Sequence, residues 1–86
     1  MTLSKYDIET LMAKANHLLN DYKSFKDALG FIPESSILGS LGVKASIAMT
    51  AKKYEKVKSE ILCRKPNKDI INTLTNLELV YNYRGD

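Results

Sequence analysis

A chain of 86 residues, 44% hydrophobic and 27% charged, can close one hydrophobic core but not two, so a single domain spanning 1–86 is expected. The composition is too apolar for a disordered chain. No cationic stretch leads into an apolar run at the amino terminus, and nothing approaches the roughly 18 uncharged apolar residues of a membrane span, which predicts a soluble, cytoplasmic protein with no membrane role. Lone Cys63 can neither staple its own chain nor cage a metal; it fits a reducing compartment and is expected as a small core or boundary residue.

The net charge of +3 is unevenly spread. Residues 1–43 carry −1 and residues 69–86 carry −2, whereas residues 44–68 carry +6 through Lys44, Lys52, Lys53, Lys56, Lys58, Arg64, Lys65 and Lys68 against Glu55 and Glu60. Such a segment is either a solvated helix face or the footprint of an acidic partner.

In the first third of the chain, Ile8, Leu11, Ala15, Leu18, Tyr22, Phe25, Leu29 and Ile32 recur at alternating spacings of three and four, an amphipathic seam. Ser4 with Asp7 resembles a capping box, Gly30 supplies a left-handed stop and Pro33 prevents resumption, so the helix is predicted over Lys5–Leu29. Met12, Leu19 and Ala28 widen the seam, favouring a bundle over a two-stranded coiled coil. Asn16, His17 and Asp21 fall on the outward face, where a histidine without a second ligand reads as a surface residue.

Between Pro33 and Gly42 two glycines dilute the helical signal; a short extra helix over 34–41 and a bend near Gly42 are expected. A second long helix is predicted over Ala45–Arg64, with Ile47, Ala51, Tyr54, Val57 and Ile61 on one side and Pro66 as its stop. Asn67 then caps a third helix, in which Ile70, Ile71, Leu74, Leu77 and Tyr81 repeat at helical spacing to about Tyr83. Over residues 77–83 the alternation of Leu77, Leu79, Tyr81 and Tyr83 fits a strand equally, and a strand here has no partner within the chain. The fold class expected is all-α: a long antiparallel helical hairpin completed by a carboxy-terminal helix.

Catalysis needs converging functional groups, and one histidine, one cysteine, no phosphate-binding glycine loop and no zinc-type spacing predict a non-enzyme without cofactor or metal. The pairs Asp7 with Glu9 and Asp21 with Asp27 lie off the apolar seam, where nothing would raise a carboxyl pKa for acid–base work. The terminal Arg84-Gly85-Asp86 copies an adhesion tripeptide too short to carry an argument.

Two functions fit this inventory. One is a helical binding protein, a regulator or inhibitor that contacts another protein or a second copy of itself through Phe25, Phe31, Ile32, Tyr54, Tyr81 and Tyr83. Small lysine- and asparagine-rich chains without chemistry of their own resemble the target-occluding proteins that mobile genetic elements often encode. The alternative is nucleic-acid binding. Residues 36–52 resemble a helix-turn-helix with its turn at Gly42, which implies that Lys44, Ser46, Thr50 and Lys53 face base edges or phosphates while Lys52 and Lys56 add backbone charge. Leu38 and Ala48 depart from the residue types that motif prefers.

Overall fold

Asp7 opens the first long helix. In the computed structural model, which describes residues 3–33 and 35–83, the Asp7 carboxylate accepts the Thr10 backbone N–H at 2.7 Å and helix α1 runs over Ile8–Phe31. The bonds from Thr10 stabilise the ionised carboxylate and hold its pKa below the usual value. Ser4 is therefore not the cap; Leu3–Lys5 form a single 3₁₀ turn ahead of the helix. At the other end Gly30 stays helical, and termination falls on Ile32, which adopts the extended backbone that a residue before proline prefers.

Helix α2 spans Ile37–Cys63 without interruption. The expected short helix and the bend at Gly42 merge into it, because a glycine costs a helix only about 1 kcal/mol and neither Gly39 nor Gly42 removes a backbone donor. Lys65, at a φ of 50°, turns the chain after α2, and Pro66 follows. Helix α3 covers Lys68–Val80, with the Asn67 side chain accepting the Ile70 N–H at 3.0 Å as its cap. Residues 77–80 are helical, so the strand alternative is not adopted.

The fold is the expected small all-α bundle. α1 and α2 pack along their lengths as an antiparallel hairpin, and α3 returns beside them. Leu11, Ala15, Leu19 and Tyr22 of α1 meet Ala51, Tyr54, Val57 and Ile61 of α2 in one buried cluster, joined by Leu74 and Tyr83. The seam of α1 is centred on Leu19, with Leu18 half-buried beside it. At 3.6 residues per turn a straight helix drifts from a strict heptad line, and the core follows the drift.

α3 has only 13 residues against 27 in α2, so at 1.5 Å per residue it covers roughly 20 Å of a roughly 40 Å hairpin. What fixes its far end is a Schellman turn. Asn82 adopts a left-handed φ of 57°, its N–H donates to Leu79 O at 3.2 Å, and the Tyr83 N–H donates to Glu78 O at 2.8 Å. The turn swings Tyr83 back into the core. Its ring stands edge-on to Tyr22 at 5.0 Å and to Tyr54 at 4.8 Å between centroids. The hydroxyls point to the rim: Tyr54 donates to Glu78 at 2.5 Å, Tyr83 donates to Glu55, and Lys58 reaches the same Glu78 oxygen at 2.8 Å.

Burial first, and then the neighbouring Glu78 and Glu55 carboxylates, push both phenol pKa values well above the ordinary tyrosine range. A proton held more tightly in the folded than in the unfolded chain stabilises the fold in full below the unfolded pKa of about 10, and that contribution drains away as pH rises from there through the raised folded-state pKa. Urea unfolding midpoints should therefore begin to fall near about pH 10 and keep falling above it, and the Tyr54→Phe/Tyr83→Phe variant should show a shallower fall. Equal slopes in the two proteins would contradict this account of the cluster.

Candidate functional site

Because α3 stops level with Tyr22 and Tyr54, the described residues at the turn end of the hairpin form two helices without a third layer. The sequence of that end is unusual for an exposed surface. Residues 28–51 hold only two charged side chains, Glu34 and Lys44. Facing α1, α2 presents half-buried Val43 and Ile47 and buried Ala51. The opposite side of the same helix carries a second stripe, Leu38, Leu41, Gly42, Ala45 and Met49, all exposed. Leu38 is 85% exposed and Met49 60%; beside the turn Phe31 is 88% exposed and Ile37 69%. A helix apolar on both sides belongs between two packed surfaces, and here only one is supplied.

The six aromatic and aliphatic residues expected to meet a partner do not form one surface. Phe31 is fully displayed, Phe25, Ile32 and Tyr81 are half-buried, and Tyr54 and Tyr83 lie inside the chain's own core. Assigning Tyr54 and Tyr83 to an exposed face is thus corrected: each ring fills a gap between helices while only its hydroxyl reaches the rim. Tyr81 donates to Asn16 at 2.9 Å and pins α3 to α1. The exposed aliphatic stripe on α2 lies outside those six residues. The run of Leu38, Leu41, Ala45 and Met49 at helical spacing, with hardly a charge among them, was the signal in the sequence that would have found it.

The basic residues also separate. Lys44, Lys52, Lys53 and Lys56 are exposed on a continuous helix, so the turn that a helix-turn-helix requires at Gly42 is not formed. Ser46 and Thr50 are turned to local bonding: Ser46 donates to Gly42 O at 3.2 Å, and buried Thr50 donates to Ser46 O at 2.7 Å. Lys53 and Lys56 border a groove between α1 and α2 that also includes Lys14 and His17.

His17 is exposed, 3.4 Å from Asp21. Cys63, expected in the core or at its boundary, is instead exposed. Its neighbours Ile61 and Arg64 take the inward positions, Arg64 by bonding Glu60 at 3.0 Å and the Leu3 carbonyl at 3.1 Å. No grouping of three metal-binding side chains occurs among the described residues, and none of the described helices is long and apolar enough to cross a membrane. The Arg84-Gly85-Asp86 tripeptide lies outside the described residues.

No protein-family model, curated protein or solved structure matches this chain.

Gly42 discriminates between a continuous α2 and a bent one. A methyl group built on Gly42 meets nothing within 4 Å, whereas one on Gly39 comes within 2.9 Å of Ser36 Oγ. In a continuous helix Gly42→Ala should raise stability by about 1 kcal/mol through helix propensity alone, and Gly39→Ala should gain less. Thermal unfolding at low protein concentration measures both; a loss of stability in Gly42→Ala would mean that the helix is broken there.

Proposed function

We propose that this protein is a noncatalytic binding module, a regulator or inhibitor that acts through protein contact, and that the uncovered stripe of α2 is where two copies of the chain associate. The supporting observation is that stripe: Leu38, Leu41 and Met49 exposed on a helix segment whose only charged residue is Lys44.

Area supports the reading. Exposed side chains of this size, with Phe31 and Ile37 beside them, amount to on the order of 600 Å² of apolar surface, at the upper end for a monomer and close to the ~800 Å² per partner of a standard interface.

The order of residues suits a two-fold axis. An antiparallel pairing of α2 with its copy, centred between Val43 and Lys44, sets Leu38 of each chain against Met49 of the other and Gly42 against Ala45. Small residues at the centre let the backbones approach, and larger ones at each end close over them, the self-complementary order that an isologous contact needs. Lys44 lies at the edge of the stripe, where its aliphatic stem can run along the interface while the ammonium stays in water. The exposed thiol of Cys63 fits the reducing, cytoplasmic setting assigned to this module.

Light scattering from the purified protein at high micromolar concentration should return about twice the chain mass of 9.7 kDa. Leu38→Glu and Leu41→Glu, both at exposed positions, should return the single-chain mass while keeping a helical circular dichroism spectrum and a cooperative unfolding transition. A strictly monomeric parent protein under these conditions overturns the proposal.

A further inference from the structure

A second uncovered surface, between α1 and α2, differs from the nearly uncharged stripe in being cationic. Asn16 on α1 and Glu55 and Lys58 on α2 mark the side of the hairpin that α3 covers. Lys14 and Leu18 on α1 and Lys53 and Val57 on α2 lie on the side turned away from it, around an open groove of about 860 Å³. Leu3, Leu18 and Val57 give the groove an apolar floor, and Lys14, Lys53 and Lys56 stand around it as a cationic rim.

Elsewhere in the molecule, lysines that face neighbours are matched: Lys23 with Asp27 at 2.9 Å and Lys58 with Glu78 at 2.8 Å. None of the three rim lysines has an ion-pair partner among the described residues, and the Lys14 ammonium sits 4.6 Å from the Tyr6 ring. Glu60 is engaged by Arg64 at 3.0 Å, and Asp21 lies 3.4 Å from the His17 ring rather than in an ion pair with a rim lysine. The rim therefore presents positive charge that the chain itself does not neutralise.

A hairpin with one helix on one face and a groove on the other is a four-helix bundle lacking a member. An occupant that completes it needs an apolar stripe for the floor and carboxylates on both flanks for the lysines. We propose that this groove binds an amphipathic helix of a partner protein whose apolar stripe is bordered by aspartates and glutamates, the helix-in-groove mode of recognition. Nucleic acid suits the rim but not the floor: it would set sugar and phosphate on Leu18 and Val57, and among the described lining residues only the His17 ring could stack on a base. The site is separate from the α2 stripe, and the proposal stands or falls independently of self-association.

The probes are three fluorescent ligands: a synthetic leucine-striped helical peptide flanked by glutamates, the same peptide flanked by lysines, and a single-stranded oligonucleotide. Anisotropy titrations at low and moderate salt should show binding of the glutamate peptide, weakened by salt, with amide shifts in the intact protein centred on Leu18 and Val57. Lys53→Glu/Lys56→Glu should weaken that binding by about tenfold or more, and should bind the lysine peptide instead. Ala13→Glu, at an exposed position within the groove, should weaken it without changing the fold. Equal binding of both peptides by the parent protein, no binding of the glutamate peptide at low salt, or displacement of that peptide by the oligonucleotide at lower concentration would each overturn the proposal.

Discussion

The ring of Tyr83, folded back between Tyr22 and Tyr54, is the contact on which the rest of the architecture turns. A short third helix has little of its own to bury: of α3 only Leu74 is fully inside, with Ile70 and Leu77 half-buried. Its attachment is therefore concentrated at its end. There the Schellman turn places an aromatic side chain of 150–250 Å² in the core, and edge-to-face geometry adds about 0.5–1.5 kcal/mol per ring pair beyond burial. α3 approaches α1 more closely at the backbone than it does α2, and it spans the wider gap to α2 with long side chains, Tyr54 to Glu78, Lys58 to Glu78 and Tyr83 to Glu55. The tyrosines suit that gap because each has an apolar body for the interior and a hydroxyl that needs a rim carboxylate.

Once α3 is anchored there, its reach is set, and the two uncovered surfaces follow from geometry. The molecule is 47 Å long, beyond Tyr22 the described residues add no third layer to the hairpin, and on the face away from α3 the groove between α1 and α2 stays open along Leu18 and Val57. The first surface is apolar and nearly free of charge; the second is cationic over an apolar floor. Such a division suits a protein with two kinds of contact. On the proposed reading, pairing through the α2 stripe carries two grooves on one rigid body, and a target offering two acidic helices would gain avidity without any further contact.

Much of this was legible in the residues. The core positions Leu11, Ala15, Tyr22, Ala51, Tyr54, Val57, Ile61 and Leu74 all follow from helical spacing, and the Asn67 cap from its side chain. Errors gathered where local signals competed. Ser4 and Asp7 are both good caps, and Asp7 prevails by bonding Thr10 directly. Gly30 reads as a stop and Gly42 as a bend, yet a glycine ends a helix only where the chain must turn left-handed; here those positions fall to Lys65 and Asn82. Tyr54 and Tyr83 read as contact residues because aromatic side chains populate interfaces and cores alike. Only the tertiary arrangement decides which, and the alternation of residues 77–83 concealed the turn that sends Tyr83 inward.

The amino-terminal half of α2 combines weak helix propensity with apolar side chains on both sides, and these two properties bear on each other. Gly39 and Gly42 together cost about 2 kcal/mol relative to alanine, and among the described elements the segment packs mainly on α1. Opening free energies are lowest where buried apolar contacts are fewest, so local unfolding should start at this end and not at the tyrosine-anchored one. Any surface that covers Leu38, Leu41 and Met49 stabilises the helical form of this segment over its frayed form, and so couples ordering of the helix to association. A glycine-bearing stripe retained beside a well-packed core is then economical in one sense. On the proposed reading, association would favour the ordered form of this end, while the Tyr22, Tyr54 and Tyr83 cluster holds the groove end in place.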